Sequence, residues 1–327
     1  MSTPAWFPVW ERRHAWVMLA VTLAVTAAGG LALQMPLALQ VAVLAVAVSV
    51  FGVPHGALDP LVGRALLAPR VGRWWSPLFH AGYLGLAAAV VGLWLLVPAV
   101  AMTLFLLASG LHFGSGDVRR GDAPPAWHAF EVLARGALPI VLPAAAFPGA
   151  VAALFGWVMP DAAGAASQQL AGSLRWAGTR LLLPALAAVV VRHVVLAARD
   201  HSGGAARHRS FWSAAEVVAL AVLCFTAPPL VAFLVYFCGW HSVRHTLHLA
   251  SQLDPLRPGA ALARFLRLGA LTTGATLALG TAAWVVLRPA AGATPAAVRV
   301  LFVLLSALAF PHMVLVALAG GASPDDA

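Results

Sequence analysis

Apolar stretches of about 20 residues recur along most of the chain, separated by short groups of Pro, Gly and Arg. A helix of that length is long enough to cross the hydrocarbon core of a bilayer. The pattern predicts an all-α protein, a polytopic transmembrane bundle of about ten helices. The expected helices run approximately over residues 15–33, 37–54, 77–97, 99–113, 127–157, 176–198, 211–227, 229–250, 264–287 and 296–318.

The fifth stretch, residues 127–157, is longer than one crossing needs and contains Pro139, Pro143 and Pro148. Proline bends or interrupts a helix because it lacks the backbone N–H and its ring clashes with the preceding turn. The stretch is therefore expected to be either a kinked helix or a re-entrant hairpin, whose freed backbone groups need protein cover. No internal repeat is visible, so we expect one integral membrane domain over residues 1–327.

The arginines collect in alternate connections between the apolar stretches. Cytoplasmic loops are enriched in Arg and Lys, so this distribution predicts a cytoplasmic N-terminus and, with ten helices, a cytoplasmic C-terminus. The opposite connections hold little beyond Arg175 and Arg288. The arginines expected on the cytoplasmic side are Arg12, Arg13, Arg64, Arg70, Arg73, Arg119, Arg120, Arg199, Arg207, Arg209, Arg257 and Arg264.

The composition also identifies the bilayer as the solvent. Hydrophobic residues make up 61% of the chain and charged residues 9%, whereas about a quarter of a typical soluble domain is charged. Orientation in the membrane explains the net charge of +9, so we expect no nucleic-acid partner and a multi-pass protein of the cytoplasmic membrane. Cys224 and Cys238 lie in apolar sequence, which excludes a disulfide framework and leaves nitrogen or oxygen as metal ligands.

Several of the 12 histidines are expected at one depth, near the cytoplasmic side of the bundle. A single intramembrane histidine is explained equally well as a hydrogen-bonded packing residue. Polar groups inside a membrane must find partners, however, and neutral imidazoles that converge can share a metal ion. The histidines expected in this layer are His55, His80, His112, His193, His241, His245 and His312.

The sequence WHSVRH gives the most specific local signal. His241 and His245 are four residues apart, so on a helix they project from one face with about 6 Å of rise between them. Two ligands of one metal can use that spacing. His248 lies on the same face nearer the water boundary, where we expect a hydrogen-bonding role instead of metal ligation.

Two further motifs place a histidine a few residues before an aspartate: His55 and Asp59 in PHGALD, and His112 and Asp117 in HFGSGD. A carboxylate at this position can accept the free ring N–H of a ligating histidine and so orient it. An aspartate that only caps the following helix explains Asp59 equally well. The glycines of the second motif allow the close approach of backbone or of a flat substrate.

Three charged residues lie near the ends of the predicted helices. Glu131 and Glu216 are expected to support the histidine layer or, as the default, to pair with arginine at the interface. Arg244, between the two histidines of WHSVRH, is expected to reach the interface or a neighbouring carboxylate.

Together these motifs resemble the Brp/Blh family of bacterial and archaeal membrane proteins, the β-carotene 15,15′-dioxygenases that supply retinal to microbial rhodopsins. The landmarks are PHGALD, HFGSGD, WHSVRH and the late Pro311-His312-Met313, which occur in the family's order and span most of the chain. One departure is Pro60, where the family's first motif leads us to expect a histidine. We expect this replacement to affect the substrate, the activity or a residue that supports a metal ligand more than it affects the fold.

The resemblance implies the site and the reaction. Iron would be held by His55, His112, His241 and His245 as the catalytic residues, and β-carotene or a related carotenoid would be cleaved with O2 at its central 15,15′ double bond to retinal. The side chains expected to support these ligands without binding the metal are Asp59, Asp117 and His312.

The chemistry of the donors agrees with this implication. Neutral imidazoles suit Fe, Cu, Zn or Ni, but cleaving an unactivated alkene with dioxygen requires a redox metal with an open position, which favours Fe(II) and excludes zinc. A carotenoid is an apolar polyene resident in the bilayer, so the substrate would reach the site laterally between helices. Phe113, Trp240 and Met313 are the expected lining of such a tunnel.

Three other functions remain compatible with the sequence. The first is a non-enzymatic carotenoid- or retinal-binding accessory membrane protein, which the missing histidine after Asp59 keeps open. The second is a haem carrier with two histidine ligands. The third is an iron-dependent lipid hydroxylase or desaturase, although such enzymes usually carry several clustered histidine motifs and only one HxxxH occurs here.

Overall fold

The computed structural model describes residue 4 and residues 6–118, 123–160, 164–200 and 204–320; Arg119 and Arg120 lie outside these ranges. The described residues are almost entirely helical and form no strand, which confirms the expected all-α class. The first eight α-helices are α1 (Phe7–Ala27), α2 (Gly29–Ala32), α3 (Leu37–Ala47), α4 (Val53–His55), α5 (Asp59–Val71), α6 (Trp75–Leu96), α7 (Pro98–Asp117) and α8 (Pro125–Ala146).

The second half of the chain is also helical. Along the whole described chain, π-helical stretches interrupt the α-helices at Val48–Gly52, Gly178–Leu182 and Val235–Ser242. The remaining α-helices are α9 (Pro148–Val158), α10 (Ala165–Ala177), α11 (Leu183–Arg199), α12 (Ala205–Thr226), α13 (Pro229–Leu234), α14 (Val243–Leu253), α15 (Pro258–Ala291) and α16 (Ala293–Gly320).

Within the described ranges, seven helical stretches are long and apolar enough to cross a membrane, as expected for a polytopic bundle. The longest covers 60 residues, about three bilayer thicknesses at 1.5 Å per residue. Turns at residues 56–58 and at Gly72 divide this stretch into two apolar helical segments, one before the first turn and one after the second. The number of candidate membrane crossings is therefore closer to the ten that the sequence predicts. The seven stretches are Leu37–Leu96, Pro98–Asp117, Pro125–Ala146, Ala165–Arg199, Arg207–Thr226, Pro258–Ala291 and Ala293–Ala319.

The proline-rich fifth stretch forms two helices. Pro139 and Pro143 lie inside α8, whereas the chain breaks at Phe147 and α9 begins at Pro148. Proline is well tolerated at the first position of a helix because its missing N–H would have no partner there. The 11 residues of α9 extend about 16 Å, roughly half the hydrocarbon thickness.

Glycines bring α7 and α8 into direct backbone contact. A β-carbon on Gly114 would overlap the carbonyl of Val132, and one on Gly136 would overlap the carbonyl of Gly110. Small residues at helix contacts are typical of membrane bundles, because close packing replaces the hydrophobic effect as the force between helices. Gly114 of HFGSGD therefore holds α7 against α8, which sets the position of His112.

Candidate metal centre

Five histidines converge from separate parts of the fold. Their ring centroids are 5.0 to 5.6 Å apart in several pairs, including 5.1 Å for His55 and His312 and 5.6 Å for His55 and His245. His55 ends α4, His112 lies on α7, and the π-helical stretch Val235–Ser242 carries His241. His245 lies on α14 and His312 on α16. The structure thus brings all four predicted ligands into one group, together with His312.

The tightest part of the group consists of His55, His112 and His312. One nitrogen from each ring lies within 4.8 Å of the other two. The Nε2 atoms of His112 and His241 are 3.2 Å apart. Two nitrogens bound to one ion at about 2.1 Å are themselves separated by about 3.0 to 3.4 Å, so this distance suits two ligands of a single metal.

Two of the rings are held by their Nδ1 atoms in the way that metal-binding histidines usually are. His55 contacts the carbonyl of Gly52 through Nδ1, and His312 places Nδ1 2.8 Å from Oδ1 of Asp59. Each Nδ1 therefore donates its proton, which leaves Nε2 with a free lone pair. Nε2 of His312 is buried and has no hydrogen-bond partner among the described residues. This donor set fits a metal ion.

Irregular helical turns aim the ligands. The π-helical stretch Val48–Gly52 ends just before α4, and the stretch Val235–Ser242 contains His241 itself. A π-helical turn inserts an extra residue and so redirects the side chains that follow it, and such turns occur frequently at functional sites. Gly52 also lets the ring of Phe237 approach, because a β-carbon there would lie 2.9 Å from it. Phe237 in turn packs edge-on against His55.

Asp59 holds a histidine, although not the one beside it in sequence. Its Oδ1 accepts from His312, and its Oδ2 accepts from the hydroxyl of Tyr83 at 3.0 Å. That hydroxyl also lies 3.2 Å from the carbonyl oxygen of Leu308. Sequence reasoning missed Tyr83. The signal was available, because the chain has only two tyrosines and both are in apolar helical sequence.

Asp117 has partners other than those expected. It accepts a 2.7 Å hydrogen bond from Tyr236, the second tyrosine, and its other oxygen lies 2.9 Å from Nη1 of Arg244. Asp117 does not orient a histidine directly, as its motif predicts, because Tyr236 and Arg244 occupy its carboxylate and Arg244 on α14 reaches the end of α7. The link to the histidines is indirect, through the ring of Tyr236 stacked on His241.

Arg244 and Asp117 belong to a buried ionic network between α7, α8, α11, α12 and α14. Glu216 is paired with Arg244 at 3.0 Å and with Arg135 at 2.9 Å. This is the pairing with arginine that the sequence led us to expect for this glutamate. In the same network, Arg135 lies 3.7 Å from Glu131, which is 2.8 Å from His193. His193 therefore contributes to this network and not to the histidine cluster.

A cavity of about 880 Å³ extends from the cluster into the bundle, within the size range of small-molecule sites. Its lining includes the cluster residues His55, His112 and His312, and otherwise consists mostly of apolar side chains. On α16 the lining runs from Ala293 to Met313, about 30 Å along the helix axis. The cavity is thus long enough and apolar enough for an extended apolar molecule.

Two of the three expected tunnel residues lie in this lining, Phe113 and Met313. Trp240 is not among the described residues that line the cavity. Its side chain is fully buried against α1, where its indole N–H donates to the hydroxyl of Thr22 at 3.0 Å. Its expected lining role was therefore wrong, because an indole needs a hydrogen-bond partner when buried and α1 supplies one.

The fold and the site together define an integral membrane protein with a buried imidazole cluster at an apolar cavity. Comparison with known proteins gives the family. The family described as beta-carotene 15,15′-dioxygenase matches residues 46–319, which include all five clustered histidines. The chain belongs to this family.

Two curated relatives agree with the family match. The "Probable beta-carotene 15,15′-dioxygenase Blh" of Halobacterium salinarum is 34% identical, over 92% of this chain and 89% of the relative. The "Beta-carotene 15,15′-dioxygenase" of an uncultured marine bacterium is 27% identical, over 83% of this chain and 91% of the relative. No solved structure matches the chain significantly.

Proposed function

We propose that the protein is an Fe(II)- and O2-dependent enzyme of the cytoplasmic membrane that cleaves the central 15,15′ double bond of β-carotene, or of a related carotenoid, to retinal. Membership of the family supports the reaction. The observation that carries the proposal for this chain is the meeting of a histidine cluster with a long apolar cavity. A membrane-resident polyene can reach such a cavity without passing through water.

In this proposal, His55, His112, His241 and His245 hold the metal. When bound, iron supplies the redox chemistry that lets dioxygen react with an unactivated alkene. The protein orients the donors: the carbonyl of Gly52 holds the ring of His55, and the close contact between His112 and His241 joins α7 to the π-helical stretch. His55 and His241 are buried and His112 and His245 are half-buried, which limits the access of water to the reacting bond.

The overall reaction has no net demand for protons. One carbon–carbon double bond breaks, two carbon–oxygen double bonds form, and both oxygen atoms come from one O2, so protons are neither taken up nor released. This balance agrees with the lining, in which Phe105, Phe113 and Phe155 face the cavity with other apolar side chains. The role of these residues is to hold the polyene in register with the histidines and to exclude water.

Access for the substrate is proposed from the side of α15. The residues of α15 that line the cavity include Thr272, Thr276 and Trp284, whereas Leu271 and Val286 on the same helix are highly exposed and do not line it. In a bilayer such exposed apolar residues face lipid, so α15 separates the cavity from the acyl chains. A carotenoid dissolved in those chains would enter past this helix.

The test is to express the chain in a bacterial host that produces β-carotene and to separate the extract by chromatography. Retinal should appear with the intact chain and be absent with His241→Ala, while His208→Ala, at an exposed histidine of α12, should behave like the intact chain. Undiminished β-carotene and no apocarotenoid of any length, from folded and iron-loaded protein, would reject carotenoid cleavage. A purified protein with an intense Soret band would instead identify a haem carrier.

A further inference from the structure

His312 occupies a different place from the one its sequence predicts. The motif Pro311-His312-Met313 led us to expect a side chain behind the ligands, yet its ring is one of the three whose nitrogens converge. We propose that His312 is itself a metal ligand, in addition to the four proposed above, and that Asp59 and Tyr83 form a chain of hydrogen bonds that holds it in place. This inference rests on the metal site of the proposed function.

The first argument is the direction of the imidazole. Asp59 is a hydrogen-bond acceptor, so the 2.8 Å contact with Nδ1 places the ring proton of His312 on Nδ1. Nε2 then carries a lone pair, and this buried atom has no hydrogen-bond partner among the described residues. A buried nitrogen without a partner destabilises the folded protein. A metal ion shared with His55 and His112 would remove this cost.

The second argument is the charge of Asp59. Its side chain is only 6% exposed, and in the described part of the chain its side chain hydrogen-bonds to His312 and Tyr83, neither of which is a permanent cation. By contrast, Asp117 is paired with Arg244. A buried carboxylate is stable only when its charge is compensated. A divalent ion bound at Nε2 of His312 would supply that compensation through the imidazole.

The third argument is the support behind Asp59. The hydroxyl of Tyr83 donates to Oδ2 of Asp59 and lies near the carbonyl of Leu308, one turn before His312 on α16. This arrangement ties α6 to α5 and α16 at the level of the ring. Carboxylate–histidine–metal chains fix both the tautomer and the orientation of the ligand, and Asp59 and Tyr83 have the positions that such a chain requires.

The experiment uses purified full-length protein in detergent, with Fe(II) as the only added probe and no carotenoid. It compares the intact chain with His312→Ala, Asp59→Asn and Tyr83→Phe, and uses His208→Ala as the control. The measurements are the iron content, the Fe(II) affinity in competition with a chelator, and the number of imidazole ligands by X-ray absorption. Thermal unfolding of the metal-free proteins shows which variants fold.

His312→Ala should lose one imidazole scatterer and bind Fe(II) at least 100-fold more weakly. Asp59→Asn should weaken binding about 10- to 100-fold, and Tyr83→Phe less than Asp59→Asn, because it removes one hydrogen bond and leaves the carboxylate. His208→Ala should match the intact chain. If His312→Ala misfolds, the two conservative variants still test the inference. Asp59→Asn should then bind Fe(II) more weakly than Tyr83→Phe, and Tyr83→Phe more weakly than the intact chain.

An unchanged imidazole count and affinity in folded His312→Ala would overturn the inference, even if the intact chain forms retinal. Unchanged affinity in both Asp59→Asn and Tyr83→Phe would overturn the chain of hydrogen bonds. The opposite result, loss of an imidazole ligand without any carotenoid cleavage by the intact chain, would uphold His312 as a ligand and reject the proposed activity. An intact chain that binds no Fe(II) would overturn the inference regardless of its products.

Discussion

Replacement of Arg244 by methionine should destabilise the protein through one carboxylate in particular. Arg244 lies between Asp117 and Glu216, at 2.9 and 3.0 Å. Glu216 keeps Arg135 as a second partner, whereas among the described residues the hydrogen-bond partner left to the Asp117 side chain would be the neutral hydroxyl of Tyr236. Methionine preserves most of the side-chain length, so the change tests the charge more than the packing.

The structure sets the expected magnitude. Removing one member of a buried ion pair costs roughly 3 to 5 kcal/mol, and the Asp117 side chain is only 3% exposed. The Arg244 side chain is 19% exposed, which places the loss near the lower end, at about 3 kcal/mol. The guanidinium also lies 5.5 Å from the ring of Trp240, a contact that adds about 0.5 to 1 kcal/mol.

A double-mutant cycle measures this loss. Unfolding in detergent, followed by the fluorescence of the 12 tryptophans, should show Arg244→Met destabilised by about 3 to 4 kcal/mol. Combining it with Asp117→Asn should restore more than half, because the stranded charge is then gone. A single variant as stable as the intact chain, or a double variant whose loss is the sum of the two single losses, would refute the reasoning.

Three further predictions concern packing, the cavity and orientation. Gly136→Val should abolish folded protein, as judged by size-exclusion chromatography, because backbone of α7 blocks the new side chain, whereas Gly149→Val enters open space among the described residues and should fold. Ala297→Trp, in the cavity lining, should lower carotenoid turnover at least tenfold with unchanged iron content, and Ala317→Trp on the exposed face of α16 should not. A reporter fused in the connection between α14 and α15 should lie on the cytoplasmic side, and one fused in the connection between α15 and α16 should lie on the opposite side. Finding both reporters on one side would reject the predicted topology.

The helices were predictable from the sequence because lipid imposes a local rule. A spanning segment must be apolar and must satisfy its own backbone hydrogen bonds, so its length and composition reveal it. The residues of the histidine cluster followed from short motifs for a similar reason, since an imidazole inside a membrane has few uses. The break at Phe147 needed the structure, because proline can either begin a helix or bend one.

The partners of the aspartates could not be predicted in the same way. Asp59 binds a ring 253 positions away, and no local pattern encodes which helices pack side by side. The partner of Asp117 was equally unpredictable, because Arg244 is on another helix. Arg244 pairs with the carboxylate that was expected to bind a histidine. Trp240 was assigned to the cavity by its neighbours in sequence, but the extra turn residue of a π-helical stretch changes which face each side chain occupies.

The most direct test of the central claim uses purified protein in lipid vesicles that contain β-carotene. The account predicts two molecules of retinal for each carotenoid consumed, loss of activity after removal of the metal with a chelator, and recovery with Fe(II) but not with Zn²⁺. Cleavage that continues unchanged without the metal, or products of unequal length, would contradict iron-dependent central cleavage at this histidine cluster.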